Sequence, residues 1–313
     1  MSGTGKFEMF ANRLDKVNRH ISKWARKQGI TCYRVYDDDM PEFPLAIDVY
    51  ESVLHVSEYD RPHGMEPDEH VAWLEGSMQV MSEVLGFSQS LIFLKYRQRQ
   101  KGLSQYDHFS REGAEFLVRE NGLRFVIKPS DYLDVGLFLD HRNTRQMVRM
   151  ASEGRRVLNL FAYTGSFTVY AAAGGAIETL TVDMSNTYLQ WADRNLALNN
   201  FTEEHHRFLQ ADVLQWVRDA PKRRWDLIVL DPPTFSNSKR MHGTLDIQRD
   251  HVWLLNRTLE MLAPGGMLYF STNFRKFKID HAEIKATIQD ISAQTVPNDF
   301  RNKKIHHCFL LKV

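Results

Sequence analysis

Three acids, Asp183, Asp212 and Asp231, each close a short apolar run: "ETLTV", "RFLQA" and "WDLIVL". A carboxylate at the end of a buried strand is placed to accept hydrogen bonds from a ligand lying across the strand ends. Asp183 stands eighteen positions beyond Gly165, in the turn "NLFAYTGSF". That turn carries one glycine, and it has neither the G-x-G-x-x-G that admits a pyrophosphate nor a G-K-[ST]. Asp183 is suited to both hydroxyls of a ribose and Asp212 to an adenine amine. Acids of this kind without a phosphate cradle point to adenosine without phosphates, and S-adenosylmethionine is the candidate. The same acids could instead cap helices.

The third acid opens "DPPTF": Asp231, Pro232, Pro233, Thr234 and Phe235, the candidate catalytic residues. Two prolines fix φ and remove two backbone donors, so the loop is stiff and its carbonyls are free. Beside a sulfonium methyl, such a loop suits a planar amine or ring nitrogen approaching in line. Amino-methyltransferases place an aromatic directly after Pro-Pro to stack on an extruded base. Here Thr234 takes that place and Phe235 follows, so Phe235 is the expected stacking residue. Methylating carbon 5 of a pyrimidine requires a thiolate that adds to the ring first. The two cysteines, Cys32 and Cys308, lie far from this loop in the chain. A nitrogen with its own lone pair needs no covalent nucleophile. Guanine N7 needs no general base either, and Asp231 would stabilise the charge that develops on it. An exocyclic amine would also have to lose a proton, and both targets stay open at this point.

The elements that must position these residues follow from periodicity. In residues 7–28, Phe10, Leu14, Val17, Ile21 and Trp24 recur at helical spacing, and Gly29 stops the helix. "PLAIDVY" and "VLHVSEY" alternate as a strand pair. A helix begins at Pro67, with Val71, Leu74, Met78 and Met81 on one face, and closes at Gly86. "AEFLVRENGLRFVIK" predicts a hairpin turning at Asn121-Gly122. From "RRVLNLFAY" onward, strands alternate with helices, which calls for a doubly wound, mostly parallel sheet. The expected fold is α/β: a Rossmann-like domain over 130–313, preceded by a small α+β substrate-side domain over 1–129.

At these residues the chain resembles the bacterial large-subunit ribosomal RNA guanine-N7 methyltransferases, the K-type half of the fused K/L enzymes. "FANRL", "RQRQKG", "DYLDVGLFLDHR", "NLFAYTGSFTV", "TVDMSNTYLQWADRNL", "DPPTFSNSKRM", "DIQRDH" and "NKKIHHC" carry the likeness nearly end to end. The resemblance implies a class I methyltransferase domain, S-adenosylmethionine as donor, and 23S rRNA or a large-subunit assembly intermediate as partner. It implies a cofactor site made of His141, Arg142, Asn159, Phe161, Tyr163, Thr164, Gly165, Asp183, Met184, Ser185, Asp212, Val213 and Asp231. Many relatives have Gln at the His141 position. The fused enzymes carry a further upstream half that modifies guanine N2, an activity not expected of this chain.

Lys+Arg 40 against Asp+Glu 39 gives no global field toward nucleic acid, so any RNA surface must be local. The basic segments are "KYRQRQKG", "NSKR", "FRKFK" and "FRNKK". Lys95, Arg97, Arg99, Lys101, Lys239, Arg240, Arg275 and Lys276 are the candidate RNA-binding residues. Two cysteines are too few for a disulfide framework or a structural zinc site, and no metal is expected. With no apolar run of about 18 residues and no signal peptide, the chain reads as cytoplasmic. An exocyclic-amine RNA methyltransferase and a non-catalytic rRNA-binding assembly factor are the alternatives.

Overall fold

A computed structural model describes residues 3–59, 64–95, 113–130, 135–219, 225–237 and 243–313. The chain forms two compact units, one of residues 1–122 and 126–139, the other of 123–125 and 140–313.

In the first unit, α1 (Gly3–Gln28) buries Phe10, Leu14 and Ala25, while Val17, Ile21 and Trp24 of the expected stripe are half-buried. The strands β1 (Cys32–Asp37), β2 (Leu45–Tyr50) and β3 (Val53–Glu58) pair antiparallel. The chain then crosses through α2 (Pro67–Leu85) to β4 (Ile92–Lys95), which pairs parallel to β3. Pro67 starts α2 behind a Glu66–Glu69 capping box, and Gly86 ends it in the left-handed region at φ 76°. Phe10 stacks on Phe43 at 4.2 Å between centroids, in a core with Leu45, Leu54, Met78 and Met81. The hairpin of β5 (Phe116–Glu120) and β6 (Leu123–Ile127) turns at Asn121 and Gly122, both at positive φ, as the Asn-Gly pair predicts.

The second unit is a seven-stranded sheet with helices on its faces. Its elements are α3 (Arg142–Met150), β7 (Arg156–Leu160), α4 (Ser166–Ala173), β8 (Glu178–Asp183), α5 (Asn186–Leu198) and β9 (His206–Gln210). Then come α6 (Val213–Asp219), β10 (Trp225–Leu230), β11 (Phe235–Ser236), β12 (Leu245–Asp246), α7 (Ile247–Leu259) and β13 (Leu262–Thr272). Last are β14 (Thr287–Asp290), α8 (Ser292–Thr295) and β15 (His307–Lys312).

The sheet order is β14-β15-β13-β10-β7-β8-β9. The run from β13 to β9 is parallel, while β15 is antiparallel to both β13 and β14. The chain winds outward from β7 through β8 to β9, then returns to the other side of β7 at β10. The order therefore reverses between β7 and β10, and in sheets of this kind the ligand crevice lies at the carboxyl ends of such a pair. Leu158, Leu160, Ile228, Leu230, Leu268 and Phe270 fill the layer beneath it and are fully buried. The strand β14 was not foreseen, because "TIQD" is too short and polar to show a period.

Candidate active site

The loop after β7 holds an unusual backbone. Phe161, Tyr163 and Gly165 lie at φ 56°, 50° and 69°, and the first two are aromatic residues that rarely adopt this region. Such residues cost about 1–3 kcal/mol each and persist where their surroundings over-determine them. Here the Ala162 amide donates to the Val182 carbonyl, and the Tyr163 amide to Asp183 Oδ2 at 2.9 Å. The Asn195 amide donates to the Thr164 carbonyl at 2.9 Å from α5. Gly165 is required for space as well as conformation: a Cβ there would meet the Ala192 Cβ at 2.6 Å.

Asp183, at the end of β8, accepts the Tyr163 amide on Oδ2 and the Ser185 amide on Oδ1 at 2.8 Å. Burial holds its carboxyl above the usual range against the opposing pull of the Ser185, Tyr163 and Met184 amides. The Met184 amide also faces the carboxylate, which offers about four acceptor positions, so acceptor capacity remains for a vicinal diol. Met184 and Ser185 continue the turn half-buried, and Ser185 caps α5 by accepting the Tyr188 amide. Asp212 is half-buried at the end of β9 and accepts the Leu214 amide at 3.0 Å, while Val213 packs into the core.

Asp231 closes β10. Ser271 Oγ donates to its Oδ1 at 2.5 Å, and His141 Nε2 stands 3.6 Å from its Oδ2. The Asp231 amide reaches the Leu160 carbonyl at 3.5 Å, tying the two strands that border the crevice. Pro232 is buried and Pro233 exposed. Thr234 Oγ1 donates to Asn273 at 2.5 Å, and its carbonyl accepts the Ile247 amide. That carbonyl is therefore engaged, although the prolines suggested free ones. Phe235 pairs with Asp246 in β12 and is 56% exposed, unusual for an aromatic.

His141 is buried between Asp231 and Asp140, its ring stacked on His306 at 4.5 Å with planes 7° apart. Burial lowers its pKa below the ordinary value; Asp231 and Asp140 oppose this. His306 is held at both nitrogens, by Asp140 at 3.0 Å and Thr295 at 2.9 Å. A metal lies in the plane of each imidazole that binds it. Two near-parallel, stacked planes share no such point, so Asp140, His141 and His306 form a ring stack in which His306 bonds Asp140, and not a converging ligand set.

Two expected cofactor residues face elsewhere. The Arg142 guanidinium pairs with Asp299, both buried. Asn159, 2% exposed, donates to Thr168, which in turn bonds Thr181. These contacts brace the first loop and α3. Of the candidate RNA-binding residues, Arg275 and Lys276 are exposed after β13, and Lys95 Nζ donates to the Ser130 carbonyl. Arg97, Arg99, Lys101, Lys239 and Arg240 lie outside the described residues. Sequence reasoning missed Ser271, Asn273 and Thr295, whose side chains are common in any strand or loop. Asp140, Asn195 and His306 appear only inside the longer runs "DYLDVGLFLDHR", "TVDMSNTYLQWADRNL" and "NKKIHHC".

A single-glycine loop pressed onto α5 and acids at the ends of β8, β9 and β10 suit an adenosine ligand, and the family comparison decides the class. The model of the S-adenosylmethionine-dependent methyltransferases matches residues 37–291. The chain belongs to that family. Ribosomal RNA large subunit methyltransferase K of Neisseria meningitidis serogroup B is 51% identical over 306 residues, covering 97% of this chain and 86% of that protein. Ribosomal RNA large subunit methyltransferase K/L of Allochromatium vinosum is 50% identical over 310 residues, and this chain spans 42% of its length. The crystal structure of SMU.776 complexed with SAH superposes with a TM-score of 0.76 at 22% identity, over 97% of this chain and 82% of that one. That likeness concerns the fold: a Rossmann-like methyltransferase domain with a smaller domain before it. S-adenosylmethionine is the cofactor of the methyltransferase, and the residues present fit it. Asp183 offers the acceptors for a diol, Asp212 a carboxylate at the next strand end, and the Gly165 turn a close backbone approach.

Proposed function

We propose that this methyltransferase modifies N7 of a guanine in 23S rRNA, by direct in-line transfer with no covalent enzyme–base intermediate. The observation that carries this reading is a stiff Asp-Pro-Pro loop at the crevice whose neighbouring thiol, Cys308, is buried and pushed up by burial and by the Asp231 charge. Cys308 lies in the core of β15, where burial pushes its thiol far above the ordinary value, and Cys32 is buried in the first unit. Carbon methylation through a thiolate therefore has no nucleophile here. The half-identical relatives named for large-subunit ribosomal RNA support the choice of RNA.

Bound S-adenosylmethionine supplies an electrophilic methyl group on a positively charged sulfur. The chain positions and stabilises. Asp183 and Asp212 hold the adenosine, and the Gly165 turn lets it lie against backbone. Asp231, fixed by Ser271 and bordered by His141, places a carboxylate where positive charge grows on the reacting nitrogen. The exposed Phe235 stacks on the base, and Thr234 borders it. N7 faces the major groove, which is deep and narrow in A-form RNA, so the target guanine is unstacked when it enters.

Nucleoside mass spectrometry of 23S rRNA from cells lacking the protein, with and without complementation, tests the proposal. Loss of one 7-methylguanosine, restored by the wild type, is expected. Loss of N6-methyladenosine or N2-methylguanosine would assign an exocyclic amine, and no loss would make the chain an assembly factor.

A further inference from the structure

In the second unit β13 ends at Thr272, which pairs with His307 at the start of the antiparallel β15. The loop after β13 and the loop before β15 thus leave the sheet at the edge where β7 and β10 end. Between α8 and the second loop lies a cleft of about 470 Å³, bordered by Ala293, Val296, Lys303, Lys304 and His307, with His306 among its lining residues. Its charge is two lysines against one acid. Lys303 and Lys304 are exposed, and Lys303 Nζ spends one contact on the Pro297 carbonyl at 3.3 Å. The Lys304 ammonium has no partner among the described residues. The acid Asp290 also borders the cleft, and its Oδ1 accepts both the amide and the hydroxyl of Ser292. Asp299, in the loop itself, is buried against Arg142.

We propose that this cleft is a subsite for one nucleotide of the RNA strand flanking the target base, its phosphodiester on Lys303 and Lys304 and its sugar and base against Val296 and the His307 ring. The assignment rests on the reading that the methyltransferase acts on RNA. The volume lies in the ordinary range of ligand sites and far exceeds what a lone anion fills. The cleft also shares a wall with the active site: His306 lines it, stacks on His141, and His141 stands 3.6 Å from Asp231. A strand whose target base enters beside Asp231 has its neighbouring nucleotide at this wall. Gripping that neighbour offsets the unstacking of the target.

The test uses the full chain and 23S rRNA from cells lacking the protein. Binding is measured against salt for the wild type, for Lys303→Glu/Lys304→Glu and for Lys303→Arg/Lys304→Arg. The Glu pair is expected to bind RNA at least 10-fold more weakly, with a log–log salt slope shallower by about 0.7, since the two lysines share one single-strand phosphate. The Arg pair keeps wild-type affinity and slope. Melting temperature and S-adenosylmethionine affinity stay at wild-type values in both variants. A Glu pair that binds RNA with the wild-type affinity and slope, while the wild type methylates that RNA, overturns the subsite and leaves the function standing. A wild type that neither binds nor methylates RNA overturns both.

Discussion

Asp183 accepts the Tyr163 amide on one oxygen and the Ser185 amide on the other, with the Met184 amide beside them. In the proposed site its remaining acceptor capacity serves a ribose diol. Hydrogen bonds to a charged acceptor contribute about 1.5–3 kcal/mol each, so Asp183→Ala is expected to weaken S-adenosylmethionine binding roughly 100-fold or more by calorimetry. Phe235→Ala should leave that binding unchanged and lower turnover on RNA by roughly 10- to 100-fold, since base stacking is worth about 1–3 kcal/mol. His141 gives a pH signature. Its folded-state pKa is depressed, so the unfolded chain takes up the proton first as pH falls below about 6.5. Stability from this residue is therefore full above that pH and is lost on acidification. His206, also lowered by burial, adds to the same limb. Thermal melting from pH 7.5 to 5.5 should fall less steeply in His141→Gln than in the wild type.

Among the elements, the turn between β7 and α4 carries the most strain, with three left-handed residues in five. Gly165 is its tightest point. Gly165→Ala puts a methyl 2.6 Å from Ala192, and overpacking of this kind costs about 1–3 kcal/mol. Denaturant unfolding should show that loss, with weaker cofactor binding alongside. Glycine at 165 was legible in the sequence as a turn; its pressure on α5 was not, since Ala192 lies 27 positions away. The reverse holds for α2, where Pro67 and Gly86 mark both ends in the chain itself. Arg142 and Asn159 show the limit of residue type. Both have the chemistry to meet a ligand, yet their partners, Asp299 and Thr168, are buried beside them.

At the scale of the molecule, nearly balanced charge means that RNA affinity must come from local basic loops. Affinity should fall steeply with salt, and a rigid, fully paired duplex should be a poor substrate beside deproteinised rRNA. No described helix is long and apolar enough to cross a membrane. What the amino-acid sequence alone determined is what local period and chain order carry. Alternating strands and helices, acids at three strand ends, the stiff "DPPTF" and the absence of cysteine from that loop were all readable there. Tertiary structure decided the rest. Alternation reads the same in either direction, so pairing alone set β15 antiparallel to β13. Ser271 lies 40 positions from Asp231, and His306 166 positions from Asp140. Contacts across such separations depend on which strands lie side by side, and no local pattern records that.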